Sequence, residues 1–323
     1  MKNNKIAIFG ASGYIASYLI ECLSNNSSLF LITNRPENIP EEVKGRCGIE
    51  VIKGDLGDEV VQSRIVTEKI KLIINLYGQT DIYFAQKFIE FDFEMNVSKI
   101  IKLFSYLVKR EFPVRFVQIG TVTQAGLTPF ELVDEEFPDK PITNFDLHKL
   151  IAETYVQNMN GKFGFETLCV RLPNVFGGAA RQFSGNRGVI NRVILTAKKE
   201  SEIFIFGSGQ YVRSYIDVID VTGCIERLIS LKNFPGGEMV IISNGKSFPL
   251  IDVWNKIAKI VSEEFMTDVA VTQCKWPEGI SPIEKRNFSP KNAKLMGLIG
   301  NYKFQSIDET LKSTILSSEG LSG

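Results

Sequence analysis

The segment Gly10-Ala-Ser-Gly13-Tyr-Ile-Ala16 follows directly on the short apolar run Lys5–Phe9 and opens the amphipathic stretch Tyr14–Ser24. No other feature limits the possible folds as much. A glycine at the end of a strand permits a tight turn. A second glycine three residues on lets another group approach the backbone. The small Ala16 lets the new helix pack against the strand it left. The helix start formed in this way presents unpaired amides and the positive end of its dipole, which suits phosphate. Strand before and helix after make the pattern a dinucleotide-binding turn rather than a plain connection.

The alternation continues through the first half. Leu29–Thr33, Glu50–Lys53, Leu72–Leu76 and Arg115–Ile119 join Lys5–Phe9 as predicted strands, with a sixth at Glu166–Leu172. They are brief and rich in Ile, Val and Phe, and strands apolar on both faces belong in a parallel sheet covered by helices. Helices are predicted at Tyr14–Ser24, Val60–Lys69, Ile82–Leu107 and Phe145–Met159. The fold class that follows is α/β, a doubly wound parallel Rossmann sheet. A chain of 323 residues exceeds one such unit. Beyond Pro173 the texture changes to a glycine-rich, arginine-bearing stretch over 177–188, a helix at Val189–Lys198, short strands at Ile203–Phe206 and Met239–Ile242, and helices at Ile251–Glu263 and Ser289–Leu298. We therefore expect a dinucleotide-binding domain over 1–172. A smaller mixed α/β region over 173–323 would mainly bind substrate, with some segments returning to the Rossmann sheet.

Bulk charge narrows the partners. Lys plus Arg and Asp plus Glu each number 37, so the net charge is zero and any anion site must be local. Nothing here predicts a nucleic-acid or membrane partner. The start runs straight into a strand, without a signal peptide or an apolar run of about 18 residues, and the expected location is cytoplasmic. Cys22, Cys47, Cys169, Cys224 and Cys274 are scattered and odd in number, as in a reducing compartment. His148 is the single histidine, so no histidine-rich metal site is expected.

The second strand ends in Thr33-Asn34-Arg35-Pro36, where a carboxylate would bind a ribose 2′-hydroxyl. Without that carboxylate a 2′-phosphate is not repelled, and Arg35 can pair with it. The cofactor expected is NADP, with NAD as the alternative and a solvated loop arginine as the bland reading. Asp55, in Lys53-Gly54-Asp55-Leu56, is placed to reach the adenine amino group.

The chain resembles the extended short-chain dehydrogenase/reductases, the nucleotide-sugar epimerases, dehydratases and 4-ketoreductases. The likeness spans nearly the whole length. It rests on Gly10, Gly13 and Ala16; on Asn96; on Ile119-Gly-Thr-Val-Thr-Gln-Ala-Gly126; and on Lys149 in Phe145-Asp-Leu-His-Lys149-Leu-Ile-Ala-Glu153. Arg171-Leu-Pro-Asn174-Val-Phe-Gly177, Phe206-Gly-Ser-Gly209, Arg213-Ser-Tyr-Ile-Asp217-Val-Ile-Asp220, Ile241–Lys246 and Ser289–Lys294 extend it. The resemblance implies a cofactor site of Gly10, Ser12, Gly13, Tyr14, Ile15, Asn34, Arg35, Asp55, Leu56, Leu76, Tyr77, Gly78, Asn96, Lys149 and Pro173. It also implies a nucleotide-sugar partner and a homodimer that pairs Ile82–Leu107 and Phe145–Met159 across subunits.

The family's Ser/Thr, Tyr and Lys fall on Thr121, Phe145 and Lys149. By resemblance Thr121 orients the substrate, and Lys149 binds the nicotinamide ribose while its charge favours a neighbouring phenolate. The tyrosine position, four residues before the lysine on one helix face, holds Phe145. Phenylalanine has no proton to exchange, and loss of a positioned acid/base costs about 10²–10⁴-fold in rate. Three readings stay open. The tyrosine was replaced deliberately to stall the chemistry; or Thr121, Thr123, Tyr83, His148 or a water donates the proton; or the protein binds cofactor without catalysis, as a sensor. For His148 the preferred reading is a surface or interface histidine. The family's dehydratases carry an Asp-Glu pair after the Thr, where this chain has Val122 and Thr123. That disfavours dehydration and leaves a 4-keto nucleotide-sugar reductase first, an epimerase with bound NAD second. On the substrate side the resemblance points to Tyr83, Thr121, Thr123, Asn174, Arg181, Arg192 and Arg213. Arg187 flanks the same glycine-rich stretch, and Arg286 is a further candidate for the pocket. Arginine forks suit a diphosphate.

Overall fold

The structure, a computed structural model, describes residues 4–129, 132–178 and 188–317. In chain order the first half runs β1 (Asn4–Phe9), α1 (Tyr14–Leu23), β2 (Ser27–Thr33), α2 (Glu41–Lys44), β3 (Ile49–Lys53), α3 (Glu59–Thr67), β4 (Leu72–Asn75), α4 (Ile82–Lys87), α5 (Ile89–Phe93), α6 (Lys99–Lys109), β5 (Arg115–Thr121), α7 (Asn144–Met159) and β6 (Glu166–Leu172). The second half runs β7 (Asn174–Phe176), α8 (Val189–Glu200), β8 (Glu202–Phe206), β9 (Val212–Asp217), α9 (Val218–Ser230), β10 (Met239–Ile241), β11 (Ser247–Pro249), α10 (Leu250–Phe265), β12 (Ala270–Cys274), α11 (Ala293–Ile299) and α12 (Ile307–Ser317).

The chain divides into two compact units. The first gathers Met1–Gln124, Pro141–Arg171 and Thr222–Val240; the second gathers Ala125–Lys140, Leu172–Val221 and Ile241–Gly323. The first unit holds the seven-stranded sheet in the order β10-β6-β5-β4-β1-β2-β3. The β1, β2, β3, β4 and β5 pairings are all parallel, as expected of a doubly wound sheet. Strand order reverses beside β1, where β2 lies on one side and β4 on the other. In open α/β sheets that switch is where ligands bind, outside the carboxyl ends of the strands. One face is filled by Phe9, Phe30, Ile73, Leu103, Phe104 and Phe116, all buried. The Phe104 ring meets Phe116 at 5.0 Å and Phe165 at 5.1 Å.

The second unit contains a three-stranded sheet, β11-β9-β7, and a parallel pair, β12-β8. Trp254 and Ile257 of α10, Ile190 and Ile194 of α8, and Leu311 of α12 enclose its core.

Two expected helices differ in the structure. The predicted helix Ile82–Leu107 is broken. Phe88 leaves helical geometry at φ −126° and ψ 66°, and Glu94–Ser98 forms a π-helical turn before α6. Neither glycine nor proline marks the break. Turns of this π type recur at functional positions. The helix expected at Ser289–Leu298 begins only at Ala293, because Ser289 and Lys291 are paired with Val133 through the backbone. Among the described residues, no helix is long and apolar enough to cross a membrane. No cluster of three or more His, Cys, Asp or Glu in a metal-holding arrangement occurs among them either.

Candidate active site

In the first unit the turn between β1 and α1 has the geometry its glycines require. Gly10 has φ +75°, and a Cβ there would lie 2.8 Å from Tyr77 N. The Gly10 and Ala11 amides donate to Ile32 O, which pins the turn to β2. Gly13 caps α1 without any side-chain cap, so no capping side chain covers the positive end of the helix dipole. Ser12 Oγ lies 2.7 Å from Thr33 Oγ1 at the end of β2. Tyr14 and Ile15 are half-buried in the first turn of α1, and Leu56 is fully buried after β3.

The strip Leu76-Tyr77-Gly78 follows β4 and runs beside Gly10. Leu76 N donates to Phe9 O. Gly78 is the point where two polar groups converge: a Cβ there would meet Asn96 Oδ1 at 2.5 Å and Lys149 Nζ at 2.9 Å. Asn96 sits in the π-turn. Its Nδ2 donates to Asp92 Oδ1, and its buried Oδ1 accepts nothing. Lys149, on α7, is buried and has no hydrogen bond or ion pair with any described residue. Burial pushes its ammonium down to about 8, against a smaller opposing influence of Asp92.

Phe145 lies one turn before Lys149 on α7. It is buried, and its ring lies 5.8 Å from Lys149 Nζ. Thr121 ends β5, with its hydroxyl 3.0 Å from that of buried Thr123. A chain of hydrogen bonds ties this strand end to α7. Thr121 N donates to Gln124 Oε1, Gln124 Nε2 donates to Glu153 Oε2, and Arg171 closes on Glu153 through two bonds at 2.5 and 2.9 Å. Val122, directly after Thr121, is buried and apolar, and no carboxylate enters from that segment.

His148 corrects the sequence reading. It is buried rather than at the surface. Its Nδ1 lies 2.6 Å from Asp92 Oδ2, and its ring meets Phe93 edge-on at 5.3 Å. No sequence signal pairs the two, because the contact joins separate helices 56 positions apart. A second cluster that sequence reasoning missed surrounds Asp55. Lys99 lies 2.7 Å from its Oδ2, with Tyr77 and Asn34 also donating to that oxygen. Arg35 is exposed. Tyr83 opens α4 and is 48% exposed.

In the second unit Asn174 Nδ2 donates to Ser214 O, and Pro173 beside it is half-buried. Arg213 is buried on β9. It donates to Val212 O at 3.2 Å and Glu284 O at 2.7 Å, and it has no ion pair among the described residues. Burial first, then the neighbouring charge of Arg286, brings it down to about 10. Tyr215 is buried near both guanidinium groups, with a hydroxyl that has no hydrogen-bond partner. Burial pushes that hydroxyl far up, while Arg213 and Arg286 pull the other way. Arg192 lies exposed on α8. Arg181 and Arg187 lie outside the described residues.

Comparison with known proteins gives this geometry a context. Residues 6–242 match the NAD dependent epimerase/dehydratase family. The chain is 24% identical over 254 residues to a putative UDP-glucose 4-epimerase of Methanocaldococcus jannaschii, covering 78% of this chain and 81% of that one. It is also 24% identical to the dTDP-D-glucose 4,6-dehydratase of Homo sapiens, over 91% of this chain and 84% of the relative. In fold it is similar to the UDP-glucuronic acid 4-epimerase of Bacillus cereus, whose structure was determined with UDP-glucuronic acid and NAD. The TM-score is 0.83 at 17% identity, covering 97% and 98% of the two chains.

Proposed function

The chain belongs to the NAD-dependent epimerase/dehydratase family, and on that premise we propose that it is an NADP-dependent reductase of a 4-keto nucleotide-linked hexose. The observation that carries the substrate reading is the arrangement at Arg213. Arg213 is buried without an ion pair among the described residues, half-buried Arg286 and the Glu284 carboxylate both act on its charge, and the buried Tyr215 hydroxyl has no hydrogen-bond partner. A buried guanidinium without an ion pair beside a hydroxyl without a partner suits an anion, and a diphosphate supplies one that an arginine fork and a hydroxyl can grip. Asn174 and Arg192 are the further substrate candidates of the second unit in this reading, Tyr83, Thr121 and Thr123 are those of the first, and Arg181 lies outside the described residues.

The first unit fits a nicotinamide dinucleotide. A cradle that a Cβ at Gly10 would fill, a start of α1 that no side chain caps, and an orphaned Asn96 Oδ1 facing Lys149 across Gly78 are the features such a ligand needs. Bound there, the cofactor supplies a hydride to one carbon of the sugar. Gly10, Ser12, Gly13, Tyr14 and Ile15 hold its pyrophosphate end; Leu56, Leu76, Tyr77 and Gly78 line it, and Pro173 is a candidate in the second unit. Asn34 and exposed Arg35, with no carboxylate at the end of β2, favour a 2′-phosphate and hence NADP over NAD. Asn96 and Lys149 hold hydroxyl groups. Thr121 orients the substrate oxygen. Phe145 packs beside Lys149 and yields no proton. Lys149, held to about 8, is charged at neutral pH yet close enough to its pKa to release a proton. Segment 121–123 offers no carboxylate, which weighs against dehydration.

Buried Phe145 favours one competing reading: cofactor binding without turnover, as in a sensor. Calorimetry with NADP, NAD and a panel of nucleoside diphosphates separates the two. Binding of NADP together with one nucleotide supports the reductase. Binding of cofactor alone removes the substrate assignment.

A further inference from the structure

Asp55 is surrounded by donors. Its Oδ2 accepts from Lys99 Nζ at 2.7 Å, Tyr77 Oη at 3.1 Å and Asn34 Nδ2 at 3.2 Å; its Oδ1 accepts from Gly57 N at 2.8 Å. Each carboxylate oxygen has about two acceptor sites, so Oδ2 is fully taken by Lys99, Tyr77 and Asn34, and only Oδ1 keeps a site for another donor. Lys99 Nζ also donates to Tyr77 Oη at 3.0 Å and lies 3.5 Å from Met95 Sδ. The Lys99 and Asp55 side chains are 15% and 10% exposed, so salt does not screen this pair as it does a surface pair. Burial opposes the charge on Asp55, but Lys99, Gly57 and Asn34 outweigh it and hold the carboxyl below its ordinary value.

Under the cofactor reading above, on which this inference rests, Asp55 faces the adenine of the dinucleotide. The adenine amino group is a donor. It would meet a carboxylate whose Oδ2 is already taken and a cation 2.7 Å from that oxygen. We propose that Lys99 competes with the adenine amino group for Asp55, and so sets how tightly and with what base preference the adenosine end is held. A base with a carbonyl in place of the amino group, hypoxanthine, meets donors that suit it: Lys99 Nζ and Tyr77 Oη. The sign is opposite to that of a phosphate-binding lysine, whose removal weakens every dinucleotide alike.

The test measures, by calorimetry on the full chain, the affinities of NAD, NADP and their hypoxanthine (deamino) analogues. Wild type is compared with Lys99→Met, which keeps the packing of the stem, with Lys99→Ala, and with each combined with Asp55→Asn. Loss of Lys99 is expected to tighten the adenine forms about five-fold and to shift the adenine-to-hypoxanthine preference about ten-fold toward adenine, the scale of one charge-assisted hydrogen bond. Adding Asp55→Asn is expected to abolish that gain. Equal weakening of both base forms, or an unchanged preference, overturns the proposal. If neither wild type nor any cooperatively melting variant binds a dinucleotide, the cofactor reading itself fails and this inference with it.

Discussion

Phe145 sets a ring without an exchangeable proton 5.8 Å from Lys149 Nζ. At the residue scale the consequence is direct. Phe145→Tyr is expected to raise turnover of a 4-keto nucleotide-sugar by at least about ten-fold, at the low end of what a positioned acid supplies. Steady-state rates with NADPH check this, and an unchanged rate rules out the missing phenol as the limiting feature. Lys149 makes a second prediction, on stability. Its folded pKa of about 8 lies below its ordinary 10.5. Below pH 8 both folded and unfolded chains carry the proton, and the fold bears the full cost of a buried cation. Between 8 and 10.5 the unfolded chain binds more protons, so stability rises with pH. Lys149→Met removes the cost. The unliganded variant is expected to gain on the order of 3 kcal/mol at pH 7, a gain that fades toward pH 10. Denaturant melts across that range measure it.

At the scale of elements, α7 decides where both residues point. Thr143 caps it: its hydroxyl donates to Asp146 Oδ2 at 2.6 Å and accepts from Asp146 N at 3.1 Å. Phe145 follows two residues later and Lys149 six. Thr143→Ala is expected to cost about 1 kcal/mol of stability and to loosen the first turn that carries Phe145. Thr143→Ser is expected to restore the cap. Chemical denaturation of the pair gives the answer, and equal stability of Ala and Ser would show that the cap contributes nothing. The π-turn Glu94–Ser98 acts in the same way for Asn96, turning its side chain toward Gly78 and leaving Asn96 Oδ1 unsatisfied. An unsatisfied buried acceptor costs about 1–3 kcal/mol, so a ligand hydroxyl there would relieve a standing penalty.

At the scale of the whole molecule, the surface of the first unit carries a cluster of exposed apolar side chains. Phe84, Phe88, Ile89, Phe91 and Phe93 on or beside α4 and α5 are 36–51% exposed, and Leu147 on α7 is 42% exposed. The Phe84 ring lies 4.6 Å from Phe88 and 5.6 Å from Phe91, so these side chains form one patch. A patch of this kind marks an interaction surface, and a homodimer through α4, α5 and α7 is the partner we propose for it. Phe91→Glu is expected to halve the mass seen by sedimentation at micromolar concentration. A wild-type chain that sediments as a monomer refutes the homodimer.

Local pattern was enough for the Rossmann sheet. Strands apolar on both faces, and glycines where β1 turns into α1, have one economical solution, and it is written in adjacent residues. The positive φ of Gly10 and the uncapped start of α1 at Gly13 were legible for the same reason, whereas Thr121, Phe145 and Lys149 were singled out by resemblance to a family. The contacts of Asp92 with His148 and of Lys99 with Asp55, and the approach of Asn96 to Lys149 at Gly78, were not legible. Each joins residues from separate elements, and distance across a fold leaves no periodic trace along the chain. The break of the predicted Ile82–Leu107 helix belongs with them, since hydrophobic periodicity runs on through Phe88 and Glu94 without a breaker residue. Sequence by itself determined the sheet, the glycine turn after β1 and the absence of a phenol at position 145. Tertiary packing alone decided which charges are buried, which polar atoms are left unpaired, and therefore where a ligand has something to satisfy.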